Sequence, residues 1–109
     1  SVLNAEAALF ALEHADIFAA QAAELRTQRA ALIAALRQMP GIEKCWDSEA
    51  NMVLVRVADA ARTYAGMQAR KVLIKNVSTM HSTLANCLRL TVGSADDNAR
   101  MLAALKDSL

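Results

Sequence analysis

The sequence predicts an α+β fold: a small, mainly antiparallel four-stranded sheet with helices packed on one face. Three observations carry this. Apolar residues recur at helical spacing at both ends of the chain. Short runs such as Cys87–Val92 alternate apolar with polar residues, the pattern of a strand with one buried face. Turn residues at Pro40-Gly41, Asp47-Ser48 and Gly93-Ser94 cut the chain between these runs. The expected order is ααββαββα, in a single domain over residues 1–109.

From Val2 to Met39 the pattern is helical, closed by Pro40-Gly41. His14-Ala15-Asp16 looks like a break, with Asp16 able to cap a second helix. In that second helix Phe18, Ala22, Leu25, Leu32 and Leu36 form an apolar stripe that Ile33 widens. The first piece, Val2–Glu13, has almost no polar face: Leu3, Ala7, Phe10 and Ala11 lie on one side, and Ala5, Leu9 and Leu12 spread over the rest. Such a helix is expected to lie against another domain or subunit.

Ile42–Trp46 and Asn51–Val57 read as a hairpin around Asp47-Ser48-Glu49-Ala50. Asp59 then caps a helix to about Arg70, with Ala60, Tyr64 and Met67 on its stripe. Val72–Lys75 is the third expected strand. An irregular connection, with one helical turn near His81–Ala85, leads to the fourth strand, Cys87–Val92. Ser94 and Asp97 fit a helix-start pattern for the last helix, Ser94–Leu109, whose stripe is Met101, Leu102, Leu105 and Leu109.

Composition excludes several function classes. Of the 109 residues 55% are apolar, much of that alanine, and the formal net charge is +1, so nothing directs the chain to nucleic acid or to a membrane surface. No apolar run approaches a membrane span, and the N-terminus does not resemble a signal peptide. Cys45 and Cys87 lack metal-type spacing and read as reduced thiols of a cytoplasmic protein, a single disulfide being the alternative. His14 and His81 are too scattered for a metal site. Glycine occurs only at positions 41, 66 and 93, which rules out a Gly-rich phosphate loop.

The chemistry that remains is cationic. Arg89 stands in the middle of the fourth strand among apolar neighbours, where its desolvation is costly unless an anion meets it. Its planar fork of donors suits a carboxylate or a phosphate. Lys75 ends the third strand, and two strand-borne cations suggest an anion pocket. The alternative is that Arg89 pairs with an internal carboxylate or snorkels to a sheet edge, and that Lys75 is simply solvated. Asn51 reads as a turn terminator, Asp96 and Asp97 as first-turn acids that favour the helix dipole. Cys87 reads as buried structure rather than as a nucleophile paired with His81.

Taken together, S-E-A-N-M-V-L-V-R (Ser48–Arg56), V-L-I-K-N (Val72–Asn76), M-H-S-T-L-A-N (Met80–Asn86) and C-L-R-L-T-V-G (Cys87–Gly93) closely resemble the C-terminal small domain of the histidinol-phosphate aminotransferase family. The following S-A-D-D-N-A-R-M-L-A-A-L and the opening S-V-L-N-A-E-A-A-L-F-A-L-E-H fit as well, so the resemblance runs along essentially the whole chain. It implies a fold-type-I, pyridoxal-phosphate enzyme of histidine biosynthesis, a cytoplasmic homodimer that moves an amino group between glutamate and imidazole-acetol phosphate. It also implies that Arg89 holds the anionic end of the substrate, and that Lys75 stands where many members carry a second arginine. Lysine at that place keeps the charge and loses the fork. Many relatives have Gly at the place of Lys71 and Pro at that of Ser82, which bears on local turn geometry.

The family's cofactor lysine motif, its pyridine-nitrogen aspartate and its phosphate cup have no counterpart here. The resemblance therefore implies a substrate-binding piece without catalytic or cofactor-binding residues, working with the large domain of the same protein and a second subunit, and inactive by itself. A related pyridoxal-phosphate decarboxylase, an aromatic-type transaminase and a non-catalytic α+β interaction module are the competing readings.

Overall fold

The computed structural model describes residues 2–109, the side chains of Val2 and Leu3 excepted; the expected part of Ser1 and of the Leu3 side chain lies outside the described residues. The elements follow the expected order: α1 (Val2–Glu13), α2 (Ala15–Gln38), β1 (Ile42–Cys45), β2 (Met52–Val57), α3 (Ala60–Ala69), β3 (Lys75–Asn76), β4 (Cys87–Thr91) and α4 (Ala95–Ser108). A single 3-10 turn, Ser82–Leu84, lies in the connection before β4. The strands form one sheet of order β1-β2-β4-β3 in which every neighbouring pair is antiparallel.

Alternation decides which face is buried. Val53, Val55 and Val57 of β2 and Leu88 and Leu90 of β4 turn to one side and are essentially inaccessible. They meet Leu32, Ile33 and Leu36 of α2, Ala60 and Met67 of α3, and Met101, Ala104 and Leu105 of α4. The helices thus cover one face of the sheet, as expected for this α+β class. The close approach of α3 to α4 depends on Gly66, where a Cβ would stand 2.7 Å from the Ser108 hydroxyl oxygen.

Expected caps form at two helices. The Asp59 carboxylate accepts from Arg62 N at 3.0 Å, and Ser94 Oγ accepts from Asp97 N at 3.1 Å. Gly41, at φ 98°, makes the turn after α2 in a conformation that an L side chain strains to adopt.

Three expectations are corrected. At the expected break, which falls at His14 between α1 and α2, His14 N bonds Phe10 O and Phe18 N bonds His14 O, both at 3.1 Å. Asp16 accordingly lies in the first turn and does not cap; the position before the helix is His14, which makes no side-chain cap. The third strand is shorter and later than Val72–Lys75. Val72 N is held by Met67 O at 3.0 Å and Lys71 is left-handed at φ 61°, so the chain reaches the sheet only at Lys75. The stripe of α2 is buried only in its second half: Phe18 is 43% exposed and Ala22 is exposed, while Leu32 and Leu36 are closed off.

Candidate functional site

The sheet face turned away from the helices carries the alternate strand residues. β2 brings Met52, Leu54 and Arg56 to it, and β4 brings Cys87, Arg89 and Thr91. In the ladder Arg89 stands between Leu54 of β2 and Lys75 of β3. The two cations found in the sequence are therefore direct cross-strand neighbours.

Their electrostatics are uncompensated. Arg89 is half-buried and Lys75 exposed, and β2, β3 and β4 contain no acidic residue. The ion pairs among the described residues are Arg37–Asp47 and Arg100–Asp97, neither on this face. The internal carboxylate that would have explained Arg89 structurally is not there. Like charges directly opposite one another destabilise a ladder. An anion seated between them removes that repulsion and receives the fork of Arg89 and the point charge of Lys75. Leu54 and the buried Cys87 supply apolar ground beside Arg89, where water competes less for the guanidinium.

The site is a face, not a pocket. Of two clefts of about 770 and 640 Å³, the first is lined by Lys71, Leu73 and Arg100 and includes Thr91 of this face, and the second is lined by Ile17, Ala20 and Leu25. Neither contains Arg89 or Lys75.

The other candidates resolve to structure. Cys45 lies on the helix-covered side and Cys87 on the open one, both buried and free, so no disulfide forms. Burial pushes the Cys45 thiol above its ordinary pKa, against the lowering effect of Arg37, so it is a poor nucleophile. His81 is exposed, and its Nδ1 accepts from Thr83 N at 3.1 Å. Asn51 lends its backbone carbonyl to Val92 N at 2.8 Å. Asp97 is held below the usual aspartate value by its hydrogen bonds with Arg100 and Ser94. No group of His, Cys, Asp and Glu that could hold a metal occurs among the described residues, and no helix among them is long and apolar enough to cross a membrane.

Sequence reasoning missed Arg56 and Trp46 as neighbours of the site. The Arg56 guanidinium donates to Thr83 O at 2.7 Å and Ala85 O at 3.0 Å, and its carbon lies 5.2 Å from the Trp46 ring centroid. The alternation of β2 already put Arg56 on the face of Arg89; the missing signal was the long-range bond to a loop. Asn98 was also missed. It is 5% exposed and both accepts from Gly93 N and donates to Gly93 O, fixing the turn that ends β4.

The model of the family described as aminotransferase class I and II matches residues 1–105. The chain is 76% identical, over its full 109 residues, to a histidinol-phosphate aminotransferase of Acidovorax sp. (strain JS42), of which it covers 30%. Among solved structures it is similar to a putative aminotransferase from Burkholderia pseudomallei K96243, at TM-score 0.69 and 34% identity over 78% of this chain and 25% of that one. It also superposes on the histidinol-phosphate aminotransferase from Clostridium acetobutylicum at TM-score 0.71, covering 76% of this chain and 25% of that one; with 20% identity, this likeness speaks to the fold alone. The chain thus spans about 30% of the length of the curated relatives it matches.

Proposed function

The chain belongs to the aminotransferase class I and II family, and we propose that it is the substrate-anion-binding small domain of a histidinol-phosphate aminotransferase. In this reading the whole protein is a cytoplasmic homodimer of histidine biosynthesis that moves an amino group between glutamate and imidazole-acetol phosphate. The observation that carries the assignment is the cross-strand pair Arg89–Lys75, on adjoining strands β2, β3 and β4 that hold no carboxylate. Identity of 76% to a named histidinol-phosphate aminotransferase over the full chain supports the choice of substrate.

Pyridoxal phosphate, the cofactor this reading implies, does not fit the residues present. Its anchoring lysine must be held as a reactive amine out of bulk water, and Lys44, Lys71, Lys75 and Lys106 are all exposed. The cofactor therefore belongs to the large domain, and the 109 residues alone are inactive. Their part is positioning. Arg89 takes two oxygens of the substrate's phosphate or carboxylate through its fork, and Lys75 neutralises the remaining charge. Fixing that end restricts where the amine at the other end can lie. The cofactor, when bound in the large domain, supplies the electron sink for the amino transfer.

Steady-state kinetics of the cofactor-loaded full-length protein test this. Arg89→Ala is expected to lower kcat/KM for the phosphate substrate by one to two orders of magnitude, since a charge-assisted contact is worth about 1.5–3 kcal/mol. Arg89→Lys recovers part of the loss and Lys75→Ala costs less than Arg89→Ala. Unchanged kinetics in both Arg89 variants would remove Arg89 from the site.

A further inference from the structure

We infer that Arg56 is a positioning residue for this site: by fixing the segment that joins β3 to β4 it holds Lys75 opposite Arg89. The inference rests on the reading of Arg89 and Lys75 as the anion site. β3 is only two residues long, and its ladder partners are Arg89 and Leu88. So short a strand does not secure its own place in a sheet. The connection that follows must do so.

That connection is anchored at both ends. At the β3 end Val77 N donates to Cys87 O at 3.2 Å, and Asn76 Oδ1 accepts from Ser78 N and Ser78 Oγ. At the β4 end Arg56 reaches across the sheet from β2. Its ladder partner is Cys87, the first residue of β4. From there Nη2 donates to Thr83 O and Nε to Ala85 O, at 2.7 and 3.0 Å. The adjacent Val57 N donates to Asn86 O and Ala60 N to Asn86 Oδ1, which holds Asn86 in its left-handed conformation at φ 55°.

The guanidinium is itself steadied. Trp46 presents its ring 5.2 Å from the Arg56 carbon, and Lys44 Nζ lies 5.0 Å from the same ring. Two carbonyls served from two nitrogens of one planar group is a geometry that an ammonium reproduces poorly. With the fork removed, the connection keeps its β3 anchors, to which Ser78 Oγ adds a bond to Cys87 O at 3.3 Å, the Asn86 bonds and a weak Cys87 Sγ donation to Ala85 O at 3.6 Å, and Thr83 O loses its hold. Lys75 then has a two-residue strand and the bonds of Val77 and Ser78 to hold it against the repulsion of Arg89.

The test is a double-mutant cycle of Arg56→Gln and Lys75→Ala in the cofactor-loaded full-length protein, with Arg56→Lys alongside and thermal unfolding recorded for each. Arg56→Gln is expected to raise KM for the phosphate substrate roughly two- to tenfold, about as much as Lys75→Ala, with kcat changed less than about twofold. The double variant should be no worse than Lys75→Ala alone, because an effect exerted through Lys75 vanishes once Lys75 is gone, whereas a general loosening multiplies. Arg56→Lys should recover part of KM, and where Arg56→Gln does not fold the cycle runs on Arg56→Lys. KM effects that multiply, or an unchanged KM in Arg56→Gln, would overturn the positioning role and leave the anion site standing. Unchanged KM in both Lys75→Ala and Arg89→Ala would sink the anion site, and the positioning role with it.

Discussion

Helix α2 passes through two regimes. Its second half presses Leu32, Ile33 and Leu36 into the sheet. Its first half, with α1, forms an arm on which residues 4–24, His14 aside, are exposed, and the molecule is 50 Å long for a cross-section of 27 × 25 Å. Leu9 and Phe10 are 56% exposed, Leu12 76% and Ile17 55%. Both halves are rich in alanine, so intrinsic propensity for helix is similar. What differs is tertiary burial, from which most helical stability in proteins comes. The arm has the composition of a buried helix without a covering partner among the described residues, and a patch of that kind marks an interface. In the proposed protein the covering surface is the large domain or the second subunit.

The sharpest way to break this comparison is to truncate one leucine in each region. Leu90→Ala, in a closed core position, is expected to cost about 3 kcal/mol in urea denaturation of the chain. Leu12→Ala should stay within about 0.5 kcal/mol. Comparable losses at a concentration where the chain is monomeric would mean that the arm packs on the body after all.

Association gives a second contrast. The 109-residue chain should self-associate through the arm, read as a mass that rises with concentration in light scattering. Phe10→Glu with Phe18→Glu should return it to monomer, since their rings form one apolar stripe with His14 between them. A monodisperse monomer at high concentration, with amides of α1 protected from hydrogen exchange, would contradict the docking role of the arm.

The smallest expected effect concerns backbone strain within the body. Lys71 is left-handed at φ 61°, at the place where the sequence resemblance puts glycine in many relatives. Lys71→Gly should therefore raise stability by up to about 1 kcal/mol, as relief of strain exceeds the entropy that glycine adds to the unfolded chain. A loss of stability would show that the Lys71 side chain holds the turn.

These regions also differ in how legible they were in the sequence. The body could be read because its signals are local: alternation in β2 and β4, Asp59 and Ser94 at helix starts, Pro-Gly after α2. Arg89 and Lys75 were found by their place on strands, and the open face follows from the same period of two. The length of β3 could not be read, since Val72–Ile74 has strand composition and is kept out of the sheet by a bond from Val72 N back to Met67 O. The Arg56 bridge to Thr83 and Ala85 spans more than 25 positions in sequence and leaves no local pattern. Asp16 was misread as a cap because backbone hydrogen bonds continue across the break at His14, so that α2 starts at Ala15 and Asp16 falls inside its first turn.

The central claim is that Arg89 and Lys75 together take the substrate's anion, and a crystal structure of the cofactor-loaded full-length protein with histidinol phosphate bound tests it most directly. The account predicts two phosphate oxygens within about 3 Å of the Arg89 guanidinium nitrogens, with the Lys75 ammonium on the same phosphate. A phosphate bound elsewhere, with Arg89 paired to a carboxylate of the large domain, would contradict it.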